Sequence, residues 1–308
     1  MRRPAPLSAP GIDEWCDRMT VHSIPSEPRR GAAPPREPEA CAPDRIRAER
    51  TPEGRVFIRG GMSAAQALQA VRAHRSVMSG RGGQVVKRDV KTNVTFIEWD
   101  GSLGADRLCV KEFVRAGSHR LLPRWIRHRP AIVSWRGARR LAATGIGVPD
   151  TLGLIIGKGA SSYLVMRVLE GFKSLAEYVR GALGPATPTE RRRAFLRVGA
   201  DFLGKCYSLH IFHTDLKASN LFVREMESGA WEFSLLDLAA VRFPRRIRRE
   251  HKLLNLAQLN SSVPLEVSWT DRARFLRHLA EREPSLADRS AMAEVARLTR
   301  SRRCVWSR

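Results

Sequence analysis

HIFHTDLKASNLFVREMESGAWEFSLLDLAAVRF, from His210 to Phe243, is the stretch whose reading decides the fold. It opens with an H-x-D-x-x-x-x-N loop, His213 to Asn220, and runs into an apolar strand, Leu221-Phe222-Val223. A turn at Glu227-Ser228-Gly229 follows. A second apolar run, Phe233 to Leu236, then ends in Asp237-Leu238-Ala239. Two short apolar runs joined by a glycine-containing turn read as a β-hairpin. The hairpin is flanked by polar residues of three kinds: Asp215 and Asp237, Asn220, and Lys217.

Those residue types suit phosphoryl transfer. That chemistry asks for in-line positioning and for cations that neutralise phosphate charge, and for little covalent help. Asp215 can accept the proton of an acceptor hydroxyl and orient it. Asn220 can offer its amide oxygen to a metal, and Asp237 can ligate the ion that bridges the phosphates. Magnesium takes oxygen ligands, commonly one or two from the protein. Lys217, two residues past the base, can neutralise charge on the transferring γ-phosphate. The loop motif alone also occurs by chance, with the aspartate as a helix cap or salt-bridge partner. Asp237 on the following hairpin tips the reading toward chemistry.

Outward from this segment, the chain separates into three parts. Residues 1–58 are rich in Pro, Arg, Ala and Glu, as in PSEPRRGAAPPREPEACAP, and read as a disordered tail. Residues 59–168 hold a helix after Ser63, SAAQALQAVRAHRSVM, then strands at GRGGQVVKRD, NVTFIEWDG and RLCVKEFV. Pro130 is expected to open a helix through AIVSWRGARRLAATG, with Gly145 as its stop; VPDTLGLII and SSYLVMRVL read as two more strands. Residues 169–308 turn helical, with SLAEYVRGAL, then TERRRAFLRVGADFLGKCYSLHI capped by Thr189, then LLNLAQLNSSV and TDRARFLRHLA as core helices. Within LLNLAQLNSSV, Asn255 and Asn260 read as polar residues of the packing. The order is α+β, a small β-rich part followed by a mainly helical one.

HTDLKASN followed by LLDLAAV resembles the catalytic loop and metal-binding motif of the protein-kinase-like superfamily. More narrowly, the chain is similar to the Kdo/WaaP lipopolysaccharide kinase family, through TGIGVPDTLGL and RRIRREHKLLNLAQLNSSVPLEVSWTDRARFLRHL. The likeness runs over roughly two thirds of the chain, Gly82 to Ala280. It implies a two-lobed fold with ATP and Mg2+ as cofactors, Asp215 as base, and Asn220 and Asp237 as magnesium ligands. It maps the lysine that contacts the α- and β-phosphates onto Lys111, with Lys87 and Lys91 as weaker candidates. It assigns the adenine edge to the backbone of Arg167, Val168 and Leu169. Two departures stand out. The glutamate expected near Ser134 is missing from an acid-free helix, which leaves Lys111 to Glu112 or Asp237. Gly80, Gly82 and Gly83 form no G-x-G-x-x-G, so a flexible turn is as good a reading as a phosphate loop.

The formal charge of +23 calls for an anionic partner. Few residues follow Asp237 and no A-P-E occurs, which favours an anionic sugar or glycolipid acceptor over a peptide. The basic run FPRRIRREHK, residues 243–252, could bind such an acceptor, and RLLPRWIRHRP, residues 120–130, could rest on an anionic membrane. The five cysteines, Cys16, Cys41, Cys109, Cys206 and Cys304, form no C-x-x-C pair and read as reduced thiols. With no secretory signal and no membrane span, the expected place is the cytoplasm, at the inner face of its membrane. Two other classes compete: a pseudokinase that binds nucleotide without turnover, and a basic nucleic-acid-binding protein. The second lacks any helix-turn-helix, zinc-finger or aromatic RNA-binding motif, so no specific nucleic acid is expected. An atypical protein kinase completes the alternatives.

Overall fold

Alternating apolar and polar residues build an antiparallel sheet of seven strands in a computed structural model that describes residues 45–114, 123–184 and 187–301. The chain divides into two units. The first takes the described residues up to Ile132 together with Thr151–Val168, and the second takes Val133–Asp150 and the chain from Leu169 on.

The first unit carries β1 (Arg47–Thr51), β2 (Gly54–Ile58), β3 (Gln84–Arg88), β4 (Thr92–Glu98), β5 (Arg107–Phe113), β6 (Thr151–Gly157) and β7 (Ser162–Arg167). Their order in the sheet is β1-β2-β6-β7-β5-β4-β3. Helix α1 (Ala64–Met78) buries Ala67, Ala70, Val71, His74 and Val77 against one face. Its capping box is closed by Ser63 Oγ, which accepts from the Gln66 amide at 3.2 Å, and Gln66 Oε1, which accepts from the Ser63 amide at 2.9 Å.

Two expectations change here. Residues 45–58 do not continue the disordered tail: β1 and β2 form a hairpin on the sheet edge, and Val56, Phe57 and Ile58 are fully buried. The charges of RAERT sit on the outer strand and hid the pairing, while residues 1–44 lie outside the described residues. Helix α2 (Arg124–Ala143) starts six residues before Pro130, which falls in its second turn and forfeits the bond to the Ile126 carbonyl. Gly80, Gly82 and Gly83 all have positive φ and form the turn from α1 into β3, where Gly80 N–H caps the Val77 carbonyl.

The second unit contains β8 (Lys173–Ser174), α3 (Leu175–Ala182), α4 (Thr189–Ser208), β9 (Phe212–His213), β10 (Leu221–Glu225), β11 (Trp231–Leu235), β12 (Val241–Arg242), α5 (Arg249–Asn260), α6 (Trp269–Arg282) and α7 (Ser290–Ser301). Thr189 is the first residue of α4 rather than its cap; Pro188 holds that place and makes no side-chain bond. The hairpin read from sequence is β10–β11, in register Leu221↔Leu235 to Glu225↔Trp231. Phe233 stacks on Phe202 at 5.3 Å, and Gly199 leaves room for the ring. The last described residues belong to α7, and residues 302–308 lie outside the described residues.

The β11 strand is pinned from the far side by Gly147, whose carbonyl accepts from Leu235 N–H at 2.8 Å. A Cβ at Gly147 would meet the Phe233 carbonyl oxygen at 2.1 Å. Gly147→Ala is therefore expected to force the strand away and to cost about 2 kcal/mol of stability. Urea unfolding checks this; an unchanged midpoint would show that the approach is not needed.

Candidate active site

The loop is framed by pairing between short strands: β9 meets β12 in register Val241↔His213, and Thr214 donates to the Ala240 carbonyl from both its amide (2.9 Å) and its hydroxyl (3.0 Å). The chain then tightens into a turn. Lys217 N–H donates to the Asp215 carbonyl at 3.0 Å, and Asn220 N–H to the Lys217 carbonyl at 2.9 Å. Asn220 Nδ2 donates to the Asp215 carbonyl at 2.9 Å. Its amide is therefore oriented, and Oδ1 is the end that a cation would use.

Asp237 is brought to the same place by the ladder. Leu236 N–H donates to the Asn220 carbonyl at 2.8 Å, one step beyond the Leu221↔Leu235 pair. Asp237 has φ 49 and ψ 55, in the left-handed region that aspartate tolerates better than most residues. Its carbonyl accepts from Ala240 N–H at 2.8 Å and starts a short 3-10 turn. Lys217 Nζ lies 2.9 Å from Asp215 Oδ2, both side chains partly exposed. The structure thus gathers Asp215, Lys217, Asn220 and Asp237 in the second unit.

His213 ties the parts together. Its Nε2 donates to the Leu236 carbonyl at 2.8 Å, and its Nδ1 accepts from Asp215 N–H at 3.2 Å. Carbonyl and amide partners fix the neutral Nε2–H tautomer. Burial holds the ring below its ordinary pKa, against the raising influence of the Leu236 carbonyl, Asp237 and Asp215.

Of the other predicted residues, Lys111, Arg167 and Val168 belong to the first unit and Leu169 to the second. Lys111 lies within β5, paired to Val94 of β4 and Leu164 of β7, with its ammonium 5.2 Å from the centre of the Phe113 ring. The Arg167 guanidinium donates to the Leu103 carbonyl at 3.0 and 2.7 Å. Glu112 does not hold Lys111. Successive strand residues face opposite ways, and its carboxylate accepts from Asn93 Nδ2 (2.8 Å) and Tyr163 Oη (3.0 Å) on the α1 face. Burial would raise this carboxyl; hydrogen bonds from His74, Asn93, Ser161 and Tyr163 outweigh it and bring the pKa down to about 2.

The basic run is partly spent internally. Arg249 pairs with Asp288 (3.0 Å) and Glu294 (2.8 Å), and buried Lys252 pairs with Glu283, while Arg245, Arg246 and Arg248 stay exposed. Of the stretch expected against a membrane, residues 120–122 lie outside the described residues and the rest enters α2. No described helix is long and apolar enough to cross a membrane. Sequence reading missed the underside of the loop, where α5 supplies Gln258 and Asn255. The signal was two amides three residues apart in the otherwise apolar helix LLNLAQL. The second unit also encloses an apolar cavity of about 110 Å³, lined by Phe195, Phe202, Leu216, Phe275 and Met292 among others.

The model of the lipopolysaccharide kinase (Kdo/WaaP) family matches residues 122–278, just over half of the chain. Among solved structures, WaaP in complex with acyl carrier protein superposes with a TM-score of 0.56 at 19% identity, over 78% of this chain and 96% of that one. At that identity the likeness speaks for the fold: α+β, a β-rich part followed by a helical part, the protein-kinase-like fold. The search of curated proteins returns no match.

The buried imidazole has a consequence for stability. Above about pH 6.5 His is neutral in both folded and unfolded chains; below it the unfolded chain takes up a proton that the folded site refuses. The contribution of His213 is therefore complete above that pH and is lost as pH falls toward the lowered native value. Urea unfolding between about pH 7 and pH 5 should show a shallower loss in His213→Gln than in the wild type. Parallel slopes would mean that another group carries the dependence.

Proposed function

The chain belongs to the lipopolysaccharide kinase (Kdo/WaaP) family, and on that premise we propose that it transfers the γ-phosphate of ATP to a hydroxyl of a sugar or glycolipid of the lipopolysaccharide inner core. The observation that carries this reading is the convergence of Asp215, Asn220 and Asp237 on one end of the β10–β11 hairpin. Asp215 receives the acceptor hydroxyl, orients its oxygen in line with the γ-phosphorus, and takes the proton as the new oxygen–phosphorus bond forms and the bond from the γ-phosphorus to the β–γ bridging oxygen breaks, with ADP leaving. Lys217 opens its pair with Asp215 and turns its ammonium toward the γ-phosphate oxygens, where charge accumulates.

The donor set fits magnesium. Asn220 Oδ1 and the Asp237 carboxylate are both hard oxygen donors, and a site completed by substrate phosphates needs no larger protein cluster. These two residues would hold the ion, which would supply neutralisation of phosphate charge. Lys111 takes the α- and β-phosphates and the backbone of Arg167 to Leu169 takes the adenine edge, on the strength of the resemblance. The exposed Arg245, Arg246 and Arg248, a few residues beyond β12, are the cations we assign to an anionic acceptor. Encounter at the inner face of the cytoplasmic membrane suits such a substrate. The related WaaP was solved with acyl carrier protein, and the apolar cavity of the second unit offers the lining that a carried acyl chain would need, so we extend that partner to this chain.

Labelled ATP, magnesium and a bacterial membrane glycolipid extract provide the test. Label transfer should fall by roughly a thousandfold in Asp215→Ala and in Asp237→Ala, and ATP affinity should weaken in Lys111→Ala. Nucleotide binding without transfer to any fraction would instead identify a pseudokinase. Transfer that survives both aspartate substitutions would remove the assigned centre.

A further inference from the structure

The backbone on both sides of Asp215 is held by one side chain. Gln258 Nε2 donates to the Thr214 carbonyl at 2.6 Å, while its Oε1 accepts from Leu216 N–H at 3.0 Å. The same oxygen accepts from Asn255 Nδ2 at 3.0 Å, and Asn255 Nδ2 also donates to the His213 carbonyl at 2.6 Å. Both partners of Nδ2 are oxygens, so neither amide can be flipped without breaking the set. Further along, Ser262 Oγ accepts from Ala218 N–H at 2.9 Å and donates to the Gln258 carbonyl at 2.8 Å. Asn255 and Gln258 are three residues apart on α5, and Ser262 lies two residues past its end. Asn255 is 1% and Gln258 2% exposed.

Both side chains are shielded from solvent, so these bonds fix position tightly. The loop is left with few ways to move that do not strand a buried polar group. Gln258 acts like a short piece of strand, with a donor and an acceptor in register with residues 214 and 216, and Asp215 projects from the peptide between them. We propose that Gln258, oriented by Asn255, is a positioning residue that sets the Asp215 carboxylate for phosphoryl transfer. This rests on the kinase reading for its effect on rate, and on the geometry alone for its effect on the loop. It touches no reacting atom. Its contribution is the placement of the base, where an error of about 1 Å costs on the order of a hundredfold in rate.

The test is a double-mutant cycle with the full chain, Mg2+·ATP and the membrane glycolipid extract as probe. Gln258→Leu keeps the volume and removes both bonds to the loop together with the one from Asn255; Gln258→Glu keeps the acceptor and serves if the first variant does not fold. In the wild-type background Gln258→Leu is expected to lower kcat about 100-fold with the KM for ATP changed less than about threefold. In an Asp215→Asn background the same substitution should cost less than about threefold in kcat, because the group being placed is gone. A merely structural role predicts equal losses in the two backgrounds and would overturn the proposal, as would a loss carried by KM. Amide hydrogen exchange at Leu216 and Ala218 is the second readout. It should quicken about tenfold in Gln258→Leu beyond any global change, and unchanged protection there would also overturn the proposal. Should the wild-type chain transfer no phosphate, the kinase reading fails by itself, and the exchange data still decide whether Gln258 holds the loop.

Discussion

The hydrogen bond from His213 Nε2 to the Leu236 carbonyl joins residues 23 apart in sequence, and the two carboxylates of the site sit on either side of it. One is two residues beyond the imidazole, and the other is one residue beyond the carbonyl. Because Nδ1 of the same ring accepts from Asp215 N–H, one neutral ring fixes the start of the loop and the end of the hairpin together. Burial serves that geometry: a charged ring would have to place a second N–H where only the Asp215 amide is available.

The rest of the second unit reads as support for this clamp. Gly147 comes close enough to β11 to accept from Leu235, which sets the end of the strand just before Leu236. The aromatic layer of Phe195, Phe202 and Phe233 packs behind the hairpin. Asp237 leaves the strand in a left-handed conformation that bends the chain at once into the 3-10 turn, and Ala240 at its end accepts from Thr214. Strain at a single residue is sustained where the surroundings over-determine it, and here ladder, imidazole and turn all do so.

Asp215, Lys217, Asn220 and Asp237 were legible in the sequence because their relation is local: a loop, a strand, a turn and a strand are all written within one continuous stretch. Strands β3 to β7 of the sheet, the Ser63 cap and the Gly145 stop follow from short-range patterns in the same way. What the sequence concealed depends on pairings distant along the chain. The hairpin of Arg47–Ile58 carries a charged outer strand and gains its burial against β6 and α1, so local composition argued for a tail. The direction of Glu112 is set by strand alternation against α1, and a resemblance that lacked its usual helix acid could not supply it. Gln258 acts on residues more than forty positions earlier, and only the fold brings them together.

The two described cysteines give each unit an internal reporter. Cys109 lies on β5 of the first unit and Cys206 on α4 of the second, and burial pushes both thiols up to about 12. The thiolate is the reactive species, so at neutral pH each sulfur is chemically silent while its surroundings stay closed. Alkylation of half-buried Cys109 therefore reports on the surroundings of β5, and alkylation of buried Cys206 clocks the opening of the helical core. The two rates, followed in one sample, would show whether the units loosen together or one before the other.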